Sequence, residues 1–242
     1  MYVNATYEGK VELDQKSLTY LQQFKVIALY SAVQFTNHLP LIQKQLEAQG
    51  HIIIGSVPER TNSIHQILGC DLSLENLKLS QTPDAFLYIG DGLFHPQALV
   101  YAQMHEKQFI PVIRYDPKQH TYFVMSIDEV KKNLQRYKGN LLKFLTSTRI
   151  GVLISTKPGQ QMYKPAKLLE EKFRDKQFYY FVENTIDYAS LENFPFIEMF
   201  VNSACPRMGI DDHIHVPFAL LNLNEALNAK DILAKYSIFT SI

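Results

Sequence analysis

The feature that most restricts the fold is a series of short apolar runs separated by stretches with helical spacing. Residues 25–30, 51–55, 85–90 and 109–113 form such runs in the first half of the chain, and 149–154, 178–182 and 196–201 in the second. Apolar character that is continuous over so few residues is the pattern of a strand buried on both faces, as in a parallel sheet. Between the first two runs, apolar residues at 39, 41, 42 and 46 share one helical face, and Gly50 follows as a C′ residue. Strand, helix, strand is a βαβ unit, whose crossover is right-handed. Residues 97–105 after Pro96, then 162–176, 188–193 and 224–236, read as helices, the last with Asn224 as N-cap. Residues 122–125 read as a short added strand, and 217–223 as a return to the second sheet. The stretch 127–145 reads as a helix with a solvated face (Lys131, Lys132, Gln135, Arg136, Lys138) and an interruption at Gly139. The expectation is an α/β fold of two consecutive parallel-sheet domains, residues 1–126 and 127–242. The first 24 residues are polar apart from a short helix at 16–24, and read as a lead-in rather than the start of a domain.

Composition narrows the function classes. Of 242 residues, 24 are basic and 24 acidic, which argues against a sequence-independent grip on nucleic acid. No apolar stretch is long enough to span a membrane, and the N-terminus lacks the basic start and apolar core of a secretion signal. With two cysteines and no such signal, a reducing cytoplasm is the expected compartment and a disulfide is not the default.

The chemistry-bearing residues concentrate in Asn202-Ser203-Ala204-Cys205-Pro206-Arg207-Met208-Gly209-Ile210-Asp211-Asp212. Cys205 lies just past the end of a predicted strand, where ligands bind in open α/β sheets. Arg207 offers a forked, permanent positive charge that favours a thiolate nearby, and thiolates bind metals or attack electrophiles. Taken alone, Cys205 reads equally as a small, buried, inert residue. Cys70, after Gly69, lies in another loop that follows a strand. In Gly90-Asp91-Gly92-Leu93-Phe94-His95-Pro96 the glycines allow positive φ, and His95 is a ligand, a proton carrier or, more commonly for a lone histidine, a helix-start residue packed on the sheet. The loop 155–160 leads into a helix, whose free N–H groups and positive dipole end favour an anionic group; it carries neither phosphate-loop spacing.

Four of these segments, in order, resemble the signatures of the Dph1/Dph2 family of diphthamide synthases, the 2-(3-amino-3-carboxypropyl)histidine synthases. They are Gln66-Ile67-Leu68-Gly69-Cys70, Gly90 to Pro96, Thr156-Lys157-Pro158-Gly159-Gln160, and Asn202 to Arg207 followed by Asp211-Asp212. The resemblance runs from about residue 25 to the C-terminus. It implies α/β domains around a central site, each giving one cysteine to a [4Fe–4S] cluster whose fourth iron is open to S-adenosylmethionine. It implies transfer of a 3-amino-3-carboxypropyl group to a histidine of translation elongation factor 2 by noncanonical radical chemistry, with an electron donor and with methylthioadenosine as the other product. Thiolate ligation agrees with cluster chemistry in general. On this basis Cys70 and Cys205 are the cluster ligands, and Gly159 and Gln160 hold the methionine part of the cofactor at the helix end. Arg207 and His95 are further cofactor-site candidates, and no catalytic residue is assigned.

The chain departs from the family pattern in one respect. No cysteine precedes Cys70, and the two expected domains correspond to the family's second and third. A third cysteine then comes from a first-domain or Dph1/Dph2-like partner, or from a homodimer mate. The alternative is a noncatalytic accessory or diverged Dph2-like subunit that binds a catalytic homologue or the elongation factor. A further class is an unrelated hydrolase or transferase with Cys205 as nucleophile, oriented by His213 or His215.

Overall fold

A computed structural model describes residues 5–235, apart from 59, 60, 62, 105, 107 and 212–215. His213 and His215 therefore lie outside the described residues, as do the ends of the helices expected at 97–105 and 224–236. The chain divides into two compact units, residues 1–130 and 131–242.

In the first unit, strands β1 (Val26–Ser31), β2 (Ile52–Ile54), β3 (Ala85–Ile89), β4 (Val112–Asp116) and β5 (Thr121–Met125) form one sheet in the order β2-β1-β3-β4-β5. The first four are parallel and β5 is antiparallel at the edge. All five residues of β3 are buried, as the unbroken apolar run requires. Tyr30, Tyr88 and Tyr115, fully buried on β1, β3 and β4, supply the bulk that tryptophan gives other cores. Helices α1 (Gln15–Leu21), α2 (Leu39–Ala48), α3 (Leu74–Leu77) and α4 (Phe94–Tyr101) connect and flank the strands.

Two expectations for this unit are corrected. The lead-in is part of the core: Val11 and Leu13 are buried, the Leu13 N–H donates to Gln45 Oε1 at 3.0 Å, and Asp14 caps α1 by accepting from Ser17 N. β4 begins three residues later than its apolar run, because Gln103 binds both the N–H and the C=O of Ile110 and so holds the start of that run off the ladder.

In the second unit, α5 (Lys131–Thr146), β6 (Arg149–Ser155), α6 (Tyr163–Lys172), β7 (Gln177–Glu183), α7 (Tyr188–Leu191), β8 (Met199–Asn202), β9 (Leu220–Asn222), α8 (Leu223–Leu227) and α9 (Ala229–Lys235) follow in turn. Its sheet is entirely parallel, in the order β7-β6-β8-β9. Leu153, Leu191, Ile197, Phe200, Val216 and Leu220 form one apolar cluster. α5 buries Leu134, Tyr137, Leu141 and Phe144, and its Asn140 donates to Leu220 O at 2.7 Å. It runs unbroken through Gly139, which faces open space and carries no conformational demand. The single helix expected at the end is two: Asn228 closes α8, Asn222 and not Asn224 occupies the N-cap position, and α9 follows.

The two units share one topology. In each, the second strand lies on one side of the first and the third and fourth lie on the other. The same device starts both sheets. Asp84, just before β3, accepts from the N–H groups of Lys25 and Val26 at 2.9 and 2.8 Å. Glu198, just before β8, accepts from Thr148 N at 2.7 Å and Arg149 N at 3.5 Å. A carboxylate ahead of the third strand thus ties down the start of the first in both units.

Candidate functional site: two thiols on sheet-edge turns

In a parallel sheet whose order reverses direction, the loops leaving the two strands at the reversal part and leave a crevice at their carboxyl ends. In the second unit the reversal lies between β6 and β8. The loop after β6 carries Thr156 to Gln160, and the loop after β8 carries Cys205. A pocket of about 190 Å³ opens between them, lined by Lys157 and Gln160 from the first loop, Asn184 and Tyr188 from beyond β7, and Ala204 and Met208 on either side of Cys205.

The first loop is a type II turn. Gln160 N donates to Lys157 O at 3.0 Å, Pro158 sets the second position, and Gly159 adopts the φ of +80° that the third requires. This corrects the helix-end argument for Gly159 and Gln160. α6 starts only after Met162, the Gln160 N–H is spent on the turn, and that of Lys157 goes to Ser155 Oγ at 3.2 Å. Gly159 supplies conformation, whereas Gln160 lines the pocket.

Cys205 is half-buried and outside any disulfide. The turn that carries it is held by side chains at the ends of two neighbouring strands. Asn202 and Asn222 are register partners on β8 and β9 and are 1% and 4% exposed. Asn202 donates to Cys205 O and to Asn222 Oδ1, both at 2.8 Å, and accepts from Ala204 N at 2.9 Å. Asn222 donates to Pro206 O at 2.7 Å and accepts from Gly209 N at 3.2 Å. Arg207 lies in the same turn. Its guanidinium is 5% exposed and its Nε donates to Asp211, a pairing within one turn of chain. The structure thus gives the arginine a local anchoring partner beyond the thiolate-stabilising role read from its position.

In the first unit the loop after β2 leaves the sheet and returns. Gln66 pairs with Ser31 at the end of β1, the Ser31 N–H donates to His65 O, and Ile67 N donates to Ser31 O. His65 is buried with a φ of 64°, and its Nδ1–H donates to Leu29 O at 2.8 Å. Burial depresses its basicity. Just beyond, buried Asp71 closes a turn around Gly69 and Cys70: Leu68 N donates to Asp71 Oδ2 at 2.8 Å, and Asp71 N donates to Leu68 O at 3.1 Å. Cys70 is half-buried and outside a disulfide. Gly69 packs on the Phe94 ring so closely that a Cβ would lie 2.1 Å from it. That contact brings together two of the sequence motifs, the Cys70 turn and the Gly90 loop. In the latter, Asp91 pairs with Lys118 Nζ at 2.6 Å, which holds its carboxyl below the usual range. His95 starts α4 with its ring stacked on Tyr88, centroids 6.4 Å apart, and edge-on to Phe94. It is packed against the sheet.

The cysteines occupy different positions in the shared topology, Cys70 after the second strand and Cys205 after the third. Among the described residues no three His, Cys, Asp or Glu side chains gather into a metal site within the chain. Sequence reasoning missed Asn222, Asn184 and Tyr188, because each reaches the site through pairing or packing across strands rather than through local spacing.

Fold and thiols together define a class: a parallel α/β protein of two like units, each presenting one cysteine on a fixed turn at its sheet's carboxyl edge. The model of the diphthamide synthesis protein family matches residues 1–234, and the chain belongs to that family. Its relatives are diphthamide biosynthesis enzymes. The 2-(3-amino-3-carboxypropyl)histidine synthase of Pyrococcus horikoshii is 29% identical over 77% of this chain and 52% of its own length. Subunit 1 of the Mus musculus synthase is 30% identical over 85% of this chain and 45% of its own. The chain thus spans about half the length of these curated relatives. The crystal structure of Dph2 from Pyrococcus horikoshii superposes with a TM-score of 0.71 at 24% identity, covering 88% of this chain and 60% of that one. Its form with a 4Fe-4S cluster gives 0.72 at 23% identity over 92% and 61%. These likenesses establish the fold. Among the described residues no helix is long and apolar enough to cross a membrane.

Proposed function

We propose that the chain is a cytoplasmic component of diphthamide biosynthesis in which Cys70 and Cys205 each contribute one thiolate to a [4Fe–4S] cluster. The observation that carries the reading is the Cys205 turn, a half-exposed thiol clamped at the topological switch point beside a pocket. The donors fit such a cluster: both are thiols outside any disulfide on turns whose main chain is fixed, and each comes singly from its unit. A bound cluster would supply one electron for cleavage of a carbon–sulfur bond in S-adenosylmethionine.

This chain's own residues shape the site around Cys205. The type II turn brings Gln160 to the pocket, with Lys157 and Asn184 as further polar groups for the amino-acid end of the cofactor. Buried Arg207 steadies the Cys205 turn through Asp211. In this reading the two units correspond to the second and third domains of the relatives. The third thiolate comes from a first-domain partner, a Dph1/Dph2-like chain or a second copy. The acceptor is a histidine of translation elongation factor 2. The accessory reading is favoured by one observation, the count of two cysteines, one short of a three-thiolate cluster.

The test is turnover under anaerobic conditions with the natural partner, dithionite and S-adenosylmethionine. Methylthioadenosine release with labelled elongation factor 2, lost in Cys205→Ala, is the expected outcome. Undiminished product from both cysteine variants rejects the ligand assignment, and makes the chain an accessory.

A further inference from the structure

The two buried asparagines raise a question that the cysteine alone does not. A turn beginning with Cys-Pro lacks the Pro206 N–H as a donor, so its carbonyls need partners from elsewhere. The Cys205 carbonyl receives Met208 N at 3.0 Å and Asn202 Nδ2 at 2.8 Å. The Pro206 carbonyl receives Asn222 Nδ2 at 2.7 Å. Asn222 Oδ1 then accepts from both Asn202 Nδ2 and Gly209 N, so one carboxamide reaches across the turn to its far side. Gly209 makes this possible by having no side chain: a Cβ there would lie 2.3 Å from Asn222 Oδ1. Asn222 is the N-cap residue of α8, yet its side chain does not cap that helix. Side chains at N-cap positions ordinarily serve the helix main chain; this one bonds the Glu225 side chain in the first turn and is otherwise turned onto the cysteine loop of the neighbouring strand.

We infer that Asn222 is a positioning residue for Cys205, fixing the main chain that follows the thiol through Pro206 and Gly209. The inference rests on the reading of Cys205 as a ligand for its meaning, but not for its measurement. A carboxamide held by several neighbours is pre-organised, and a ligand held in place binds without first ordering its loop.

The experiment uses the full chain with Cys70→Ser, which leaves Cys205 as the sole thiol. The rate of alkylation by iodoacetamide is measured under native conditions for the parent, Asn222→Ala, Gly209→Ala and Val152→Ala. Val152 is a fully buried β6 residue, paired with Val201 of β8 rather than with a residue of the turn, and its truncation destabilises the unit. Loss of the clamp frees the turn to open locally, so Asn222→Ala and Gly209→Ala are expected to speed alkylation about tenfold. Val152→Ala lowers the melting temperature and leaves the rate within twofold of the parent. Rates for both Asn222→Ala and Gly209→Ala equal to that of Val152→Ala overturn the inference, and should Asn222→Ala fail to fold, Gly209→Ala decides alone. With Cys70 restored and the partner present, Asn222→Ala is expected to change the electron paramagnetic resonance line shape of the reduced cluster. Faster alkylation in Asn222→Ala together with undiminished iron in Cys205→Ala would leave the positioning intact and reject the ligand reading.

Discussion

Arg207 and Asp211 show how a single charge pair is set by its surroundings. The guanidinium is 5% exposed and the carboxylate 26%, so removing the acid takes one charge partner from a buried cation. Truncating one partner of a buried pair costs about 3–5 kcal/mol, and the partial exposure of Asp211 lowers the expectation to about 2 kcal/mol for Asp211→Ala. Urea denaturation of the variant measures it; a midpoint equal to the parent's shows that the pair contributes nothing. The residue types at this site were legible in the sequence, since cysteine, proline and arginine past an apolar strand mark a ligand-bearing edge. What they touch was not. The Arg207–Asp211 pairing closes over four residues and could be anticipated, whereas Asn222 reaches its partners from the adjacent strand, at a register that the sequence does not encode locally.

At the scale of elements, the strands were readable because burial on both faces leaves an unbroken apolar run. Their ends were not, because the ends are set by side chains that compete for main-chain groups, as Gln103 does at Ile110. Gly139 looked like a break and is a continuous part of α5, since the buried Leu134, Tyr137, Leu141 and Phe144 hold the helix on either side of it. Glu198 gives the clearest test at this scale. Main-chain N–H groups of Thr148 and Arg149, with the Arg149 guanidinium, hold its carboxyl below the usual value of 4.5. A carboxyl depressed in the folded state contributes stability that is present above its unfolded value and lost as pH falls through the folded one. Glu198→Gln is therefore expected to lower the melting temperature at pH 7, with the gap to the parent closing as pH drops below 4.5. Melting curves taken across that range decide it; a gap independent of pH refutes the ionic origin.

For the whole molecule, the repeated topology explains why one chain carries two thiol-bearing edges, and why they are not copies of each other. Each unit folds around its own sheet, reverses its strand order after the first strand, and pins that strand with a carboxylate ahead of the third. Cys70 and Cys205 lie on different loops of that common plan. The direct measurement is iron and sulfide content, with electron paramagnetic resonance after reduction, on the anaerobically purified complex and on its Cys70→Ala and Cys205→Ala variants. The account predicts a four-iron signal in the parent and its loss in each variant. A parent signal that survives both substitutions contradicts it.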